Sequence, residues 1–240
     1  MFSGALDSYS LTARIAPSVL LIAPVVLTVA GMFPSLFSGA QLAWSVGIAF
    51  ASLFLVAQFV RDAGKRAERR LVAKWGGLPT VLMLRHHAIE GRRDVKDLHS
   101  RVQRVASCTL PSVEEEQADL VAADARYASA VVALRERTRA ASEFPTVASA
   151  NAVYGFRRNI RGAKAAGLCT SGASFTVSLG VLLNRHNYLT TANPVALAAA
   201  LLVSAGLAIG WLWMFDDEWV RIAADDYAAQ LFDSTARPVI

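Results

Sequence analysis

The sequence predicts an all-α, polytopic membrane protein, and three observations carry that prediction. Its 240 residues are 54% apolar and only 18% charged, with a mean hydropathy of +0.38, a balance too apolar for an ordinary soluble domain. The apolar excess is concentrated: residues 15–60 contain no charge, and Arg185 is the only one in 165–215. No segment shows the period-two alternation with hairpin turns that marks strands. A soluble core element seldom needs uninterrupted apolar runs of that length, whereas crossing about 30 Å of hydrocarbon takes roughly 20 helical residues.

Four spans result, arranged as two hairpins with a helical cytoplasmic domain between them. Within an N-terminal segment, 1–60, the first span covers 15–33 and the second 41–60, joined by the short PSLFSGA turn. The first run exceeds the apolar core of a typical cleaved leader, carries Pro17 and Pro24, and lacks a Lys/Arg-rich lead-in, so it is read as a span. A second hairpin, 165–215, holds spans at 165–183 and 194–215, joined by NRHNYLTTAN. Each span is about 19 to 22 residues, enough to cross with modest tilt.

The middle segment, 61–164, contains 20 of the 24 Lys and Arg against 12 of the 19 Asp and Glu, a net charge of +8. Its signals are helical. Residues 61–74 extend the second span, with Asp62 four residues before Arg66. The WGGLPT stretch then breaks the helix, since Gly76 and Gly77 suit a C-terminal cap and Pro79 suits the next first turn. Another helix starts near Asp94 and carries Val95, Leu98, Val102 and Val105 on one face. Ser112 followed by Glu115 forms a capping box predicted to open a long helix with the stripe Leu120, Ala123, Tyr127, Val131 and Leu134. Pro145 starts one more, expected to end near Gly162. In the last segment, 216–240, the apolar stripe Val220, Ala223, Ala224, Tyr227 and Leu231 predicts an acidic juxtamembrane helix, free in solvent or docked on the basic domain.

Sidedness comes from the cations, which resist translocation when they lie near span ends. Arg61, Lys65, Arg66, Arg69, Arg70 and Lys74 come after the second span, and Arg157, Arg158, Arg161 and Lys164 precede the third. The expectation is an inner-membrane protein with the middle segment and both termini cytoplasmic.

Chemistry is sparse. The sequence has no phosphate-cradling loop, dinucleotide fingerprint or serine elbow, so neither enzymatic activity nor a cofactor is predicted. His86, His87, Glu90 and His99 are close enough to raise a metal site, with helix packing or solvent exposure as the default for the histidines. Cys108 and Cys169 are distant from one another and expected to stay reduced. The spans hold no interior Asp, Glu, Lys or Arg, which argues against an ion-coupled carrier but not a passive conduit. Gly167, Ser171, Ser174 and Ser178 fall on one face of the third span, as a pore lining or a packing surface. Gly206 and Gly210 form a GxxxG for helix packing, and Pro24 is a candidate hinge.

The stretch 151–170, NAVYGFRRNIRGAKAAGLCT, poses a choice. Trp75, Tyr154, Phe156, Arg157, Arg158, Arg161 and Lys164 could stack on and neutralise a small anionic ligand. Their position at a span end instead predicts an interfacial collar touching anionic headgroups of the lipid bilayer, so the pI of 9.6 does not imply nucleic-acid binding.

The order of features, with WGGLPT, LRERTR and NAVYGFRRN between two apolar hairpins, resembles a set of uncharacterised bacterial four-span membrane proteins. In span arrangement it also resembles the four-span pore-forming effectors that accompany bacterial nucleotide-signalling and antiphage systems. That resemblance implies a membrane-disrupting effector under a cytoplasmic signal and transfers no residue roles. The function expected is a regulated pore-forming or membrane-permeabilising effector, homo-oligomeric because a pore would place several copies of the serine face around an axis. The alternative is a non-conducting scaffold that recruits a soluble cytoplasmic partner through its basic domain.

Overall fold

The computed structural model describes residues 8–39, 41–87, 95–188 and 191–236, and these are helical, with no strand among them. In chain order the helices are α1 (Ser8–Ser10), α2 (Ala16–Met32), α3 (Gln41–Trp75), α4 (Pro79–Leu82), α5 (Val95–Ala106), α6 (Val113–Ala118), α7 (Leu120–Arg137), α8 (Pro145–Tyr188), α9 (Pro194–Ile209) and α10 (Asp217–Asp233). Two π-helical turns, Leu11–Ile15 and Gly210–Met214, adjoin α2 and α9. Four helices are long and apolar enough to cross a membrane: Leu11–Met32, Gln41–Leu82, Pro145–Asn184 and Pro194–Met214.

Surface chemistry agrees with a lipid solvent. Along the apolar half of α3, Trp44, Ile48, Phe50, Phe54 and Leu55 are all at least 66% exposed. In water that much contiguous apolar surface is an aggregation site; in hydrocarbon it costs nothing.

The chain forms two compact units, Met1–Glu68 with Gly155–Val220, and Arg69–Tyr154 with Arg221–Ile240. The divisions fall at 68/69, 154/155 and 220/221, beyond the ends of the apolar runs at 60, 165 and 215, because the polar ends of these helices pack together within the first unit. There α2 packs along α9, and the Asn193 N–H donates to Gly31 O at 2.8 Å. The α8 helix runs parallel to α2: Asn159 Nδ2 reaches Ala13 O near one end, and the Thr28 and Ser178 hydroxyls share a 3.0 Å bond near the other. Where α3 meets α8, Gly64 lies against Asn159 and Gly162 against the Ala63 backbone, and a Cβ at either glycine would overlap its neighbour. A core of Leu21, Val60, Ile160, Ala163 and Trp211 joins all four long helices.

In the second unit α7 is the hub, contacted by α4, α5 and α6, with Leu84, Leu98, Val102, Tyr127, Leu134, Leu231 and Phe232 buried. The turn after α3 uses left-handed Gly76 (φ +76°) and Gly77 (φ +149°), conformations that a Cβ disfavours.

Three local expectations change. The Ser112–Glu115 capping box is present, but its helix ends at Ala118 and is not the long one. Asp119, extended at φ −151°, starts α7 afresh by accepting from the Val121 and Ala122 N–H groups, so side-chain capping competes with helix continuation. The stripe survives from Ala123 onward while Leu120 is exposed. The helix begun at Pro145 does not stop near Gly162: it continues to a kink at Asn184 (φ −118°, ψ 21°), and the third span is its second half. Gly162 is kept for close approach to α3, not as a cap. Asp94, the expected start of a helix, lies outside the described residues, as does Glu90.

Candidate functional site

The collar cations of α8 bind the chain itself. Arg157 donates to Trp219 O at 2.8 Å and lies 4.9 Å from its ring centroid. The Arg158 guanidinium meets both Glu68 carboxylate oxygens at 3.0 Å, Arg161 Nε donates to Asp217 at 2.8 Å, and Lys164 Nζ donates to Leu212 O at 3.1 Å. Phe156 packs edge-on against Trp219. These cations therefore clamp the polar ends of α3, α8 and α10, and the headgroup or anion contact expected of them is met in large part by internal acids and carbonyls. The other two aromatics belong to the second unit: Tyr154 is buried in a parallel stack with Tyr227, and Trp75 lies under the Arg221 guanidinium at 5.1 Å. The seven proposed contacts are thus divided between the two units.

The serine face of α8 is inside the first unit. Ser171, Ser174 and Ser178 are buried, and the Gly167 position is closed by the Trp211 ring. From α2 comes buried Thr28, whose hydroxyl donates to Pro24 O at 2.9 Å as well as pairing with Ser178. From α9 comes Ser204, on the same buried face as Leu197 and Ala200. Pro24 is buried, and α2 continues through it from Ala16 to Met32. The GxxxG of α9 does not pack as a pair: nothing lies within 4 Å of a Cβ placed at Gly206, while Gly210 faces the Phe215 ring.

This interior is polar without being satisfied. Ser171 Oγ, Ser204 Oγ, Trp211 Nε1 and Asn159 Oδ1 are buried with no partner among the described residues. Most buried polar atoms are paired, and each that is not costs about 1 to 3 kcal/mol, which bound water relieves. By helical rise, Gly167 to Ser178 covers about 16 Å along α8. The α8 serines thus form a file of uncharged hydrogen-bonding groups that Thr28 joins through Ser178, with the Trp211 ring at the Gly167 end and Ser204 buried in the same unit. Sequence reading found the α8 members. It missed Thr28, Ser204 and Trp211, whose signal is faint: single polar or bulky residues in otherwise aliphatic runs.

The second unit carries an acid-centred network and a groove. Glu116 accepts from Tyr127 Oη at 2.7 Å and from the His86 N–H at 3.0 Å, with His87 Nδ1 3.5 Å away. Burial works to raise its pKa, but these hydrogen bonds prevail and hold it below the usual carboxylate value. His99 is lowered, chiefly by burial. Both histidines are used structurally: His99 Nε2 is 2.7 Å from Leu84 O and His86 Nε2 3.0 Å from Pro111 O, so each must carry its proton there, with the rings 4.6 Å apart. No group of three His, Cys, Asp or Glu suited to a metal occurs among the described residues. A groove of about 950 Å³ opens beside this network, lined by Trp75, Met83, Arg85, Glu116, Arg221 and Asp225 among others. Its arginines are engaged, Arg85 by Asp124 at 2.6 Å and Arg221 by Asp225 at 2.9 Å.

Comparison with known proteins finds no match to any protein-family model, curated protein or solved structure.

Proposed function

We propose that this chain is a regulated membrane-permeabilising protein of the bacterial inner membrane, with the second unit and both termini in the cytoplasm. The observation that carries the reading is the buried hydroxyl file, with Ser171 and Ser204 unpaired among the described residues, inside helices whose outward faces are apolar. Such groups are expensive in hydrocarbon unless water reaches them, and intramembrane polar interiors are where conduits run. Two long helices, α3 and α8, contribute residues to both units, a continuous stretch of chain through which a cytoplasmic event can alter span packing. The file sits inside one chain, so conduction does not depend on a symmetric ring. Oligomer formation, for which the open face at Gly206 is available, would serve regulation or avidity.

Controlled expression with membrane-potential and dye-entry readouts tests this. Depolarisation in an activated state is expected; an intact potential under every condition, with the protein inserted and folded, counts decisively against it. A second reading, a non-conducting scaffold, is favoured by the groove of the second unit. It predicts a copurifying partner and no change in behaviour when Ser171, Ser174 and Ser178 are replaced by Leu.

A further inference from the structure

Trp211 is the largest fully buried side chain among the described residues, and it sits at an end of the hydroxyl file. Its ring occupies the space a side chain at Gly167 would fill, one helical turn from Ser171. Leu21, Val60, Ile160 and Ala163 pack with it in an apolar section of the core, and Phe215 packs edge-on at 5.0 Å. To one side of this section are Ser171, Ser174, Ser204 and the Thr28–Ser178 pair; to the other is the charged collar, where Lys164 reaches Leu212 O and Arg161 reaches Asp217. The indole N–H has no partner among the described residues.

We infer that Trp211, seated on Gly167, is a hydrophobic plug closing a narrow hydroxyl-lined path whose permeant species are water and protons. The inference rests on the conduit reading above and names what passes and what stops it. Hydroxyls and an indole N–H support a chain of hydrogen-bonded water, whereas with no fixed charge in the file a metal ion or an organic anion has nothing to replace its hydration. Every lining side chain is at most 5% exposed, so a path among them is narrow. The backbone supplies the means of movement: Trp211 lies on the π-helical turn Gly210–Met214, where Phe215 N–H donates to Gly210 O across five residues. Such turns hold one extra residue and concentrate at functional sites; reverting to α geometry rotates the adjoining helix by about 100°, enough to carry the ring off its seat.

The test is proton entry into vesicles of phosphatidylethanolamine and phosphatidylglycerol containing the full chain and a trapped pH dye, driven by a potassium diffusion potential. Trp211→Ala is expected to raise the rate about tenfold, a barrier drop of about 1.4 kcal/mol. Trp211→Phe, which refills the seat, stays near wild type, and Ser174→Leu added to Trp211→Ala abolishes the increase. A folded Trp211→Ala protein as tight as wild type overturns the plug, as does a leak that Ser174→Leu fails to suppress. Passage of trapped carboxyfluorescein as readily as protons overturns the narrow file while leaving the conduit reading standing; an intact potential in cells under every condition removes both. Should Trp211→Ala fail to fold, accessibility decides. In a Cys108→Ser, Cys169→Ser background with Trp211 present, Ser174→Cys is expected to react with a small thiosulfonate added from the side opposite the collar and to resist it from the collar side. Equal reaction from both sides, or none from either, sinks the plug.

Discussion

Replacing Glu116 with Ala should unlock the second unit while leaving the first intact. The carboxylate is 5% exposed and accepts from Tyr127 Oη and the His86 N–H, so truncation strands two donors at once. At about 1 to 3 kcal/mol for each stranded group the loss is about 2 to 6 kcal/mol. The lower half of that range is expected, because exposed His87 borders the site and lets water in. At 1.4 kcal/mol per tenfold, about 3 kcal/mol is roughly a hundredfold increase in opening. Hydrogen exchange by mass spectrometry, on the full chain in detergent, reads this element by element. Peptides from α5, α6 and α7 should exchange about a hundredfold faster, with α9 and the first half of α3 unchanged. Glu116→Gln, which keeps an acceptor, should recover most of the protection. If the Glu116→Ala protein exchanged within threefold of wild type across α7, the idea that this carboxylate organises the unit would be wrong.

Acid should loosen the same unit in two stages. The folded pKa of His99 lies below its unfolded value of about 6.5, so stability present above that pH is lost as pH falls through it toward the folded value, and Glu116, also depressed, withdraws its share below about pH 4.5. Exchange in α5 and α7, corrected for intrinsic rates, should accelerate from pH 7 to 5, and His99→Gln should blunt the first stage. Asp119→Ala removes the acceptor for two N–H groups and should cost about 1 kcal/mol, fraying the start of α7 and spared by Asp119→Asn. Gly162→Leu must push into the Ala63 backbone and should cost at least about 1 to 3 kcal/mol, lowering the aggregation temperature in detergent. Gly206→Ala, with nothing nearby, should leave that temperature unchanged.

Much of the architecture was legible because local rules and tertiary context agree. The runs at 15–60, without a charge, and 165–215, with Arg185 alone, call for helices long and apolar enough to cross a bilayer, and such helices are present. The Ser112–Glu115 box, the WGG turn and the acidic tail helix arise from capping, backbone and periodicity rules that act over a few residues. The site was half legible. A serine face on α8 is readable at a spacing of three and four, but the periodicity that finds it cannot say what covers it. Sequence rules left the Arg157–Lys164 cluster open to lipid, because its partners Trp219, Asp217 and Leu212 lie 48 or more positions away. The same blindness hid Gly64 and Gly162, whose role exists only where two helices touch.

By itself, then, the chain specified what its residues could not avoid: helices wherever backbone polar groups meet hydrocarbon, caps and turns wherever a serine, an aspartate or a paired glycine interrupts them. Tertiary structure decided which surfaces became interior. It turned the serine face inward, brought Thr28 to it, and set Trp211 into the hollow at Gly167. The physical reason is range. Hydration and backbone hydrogen bonding act on each residue where it stands, while packing and the pairing of buried polar groups depend on partners that only the folded chain brings together.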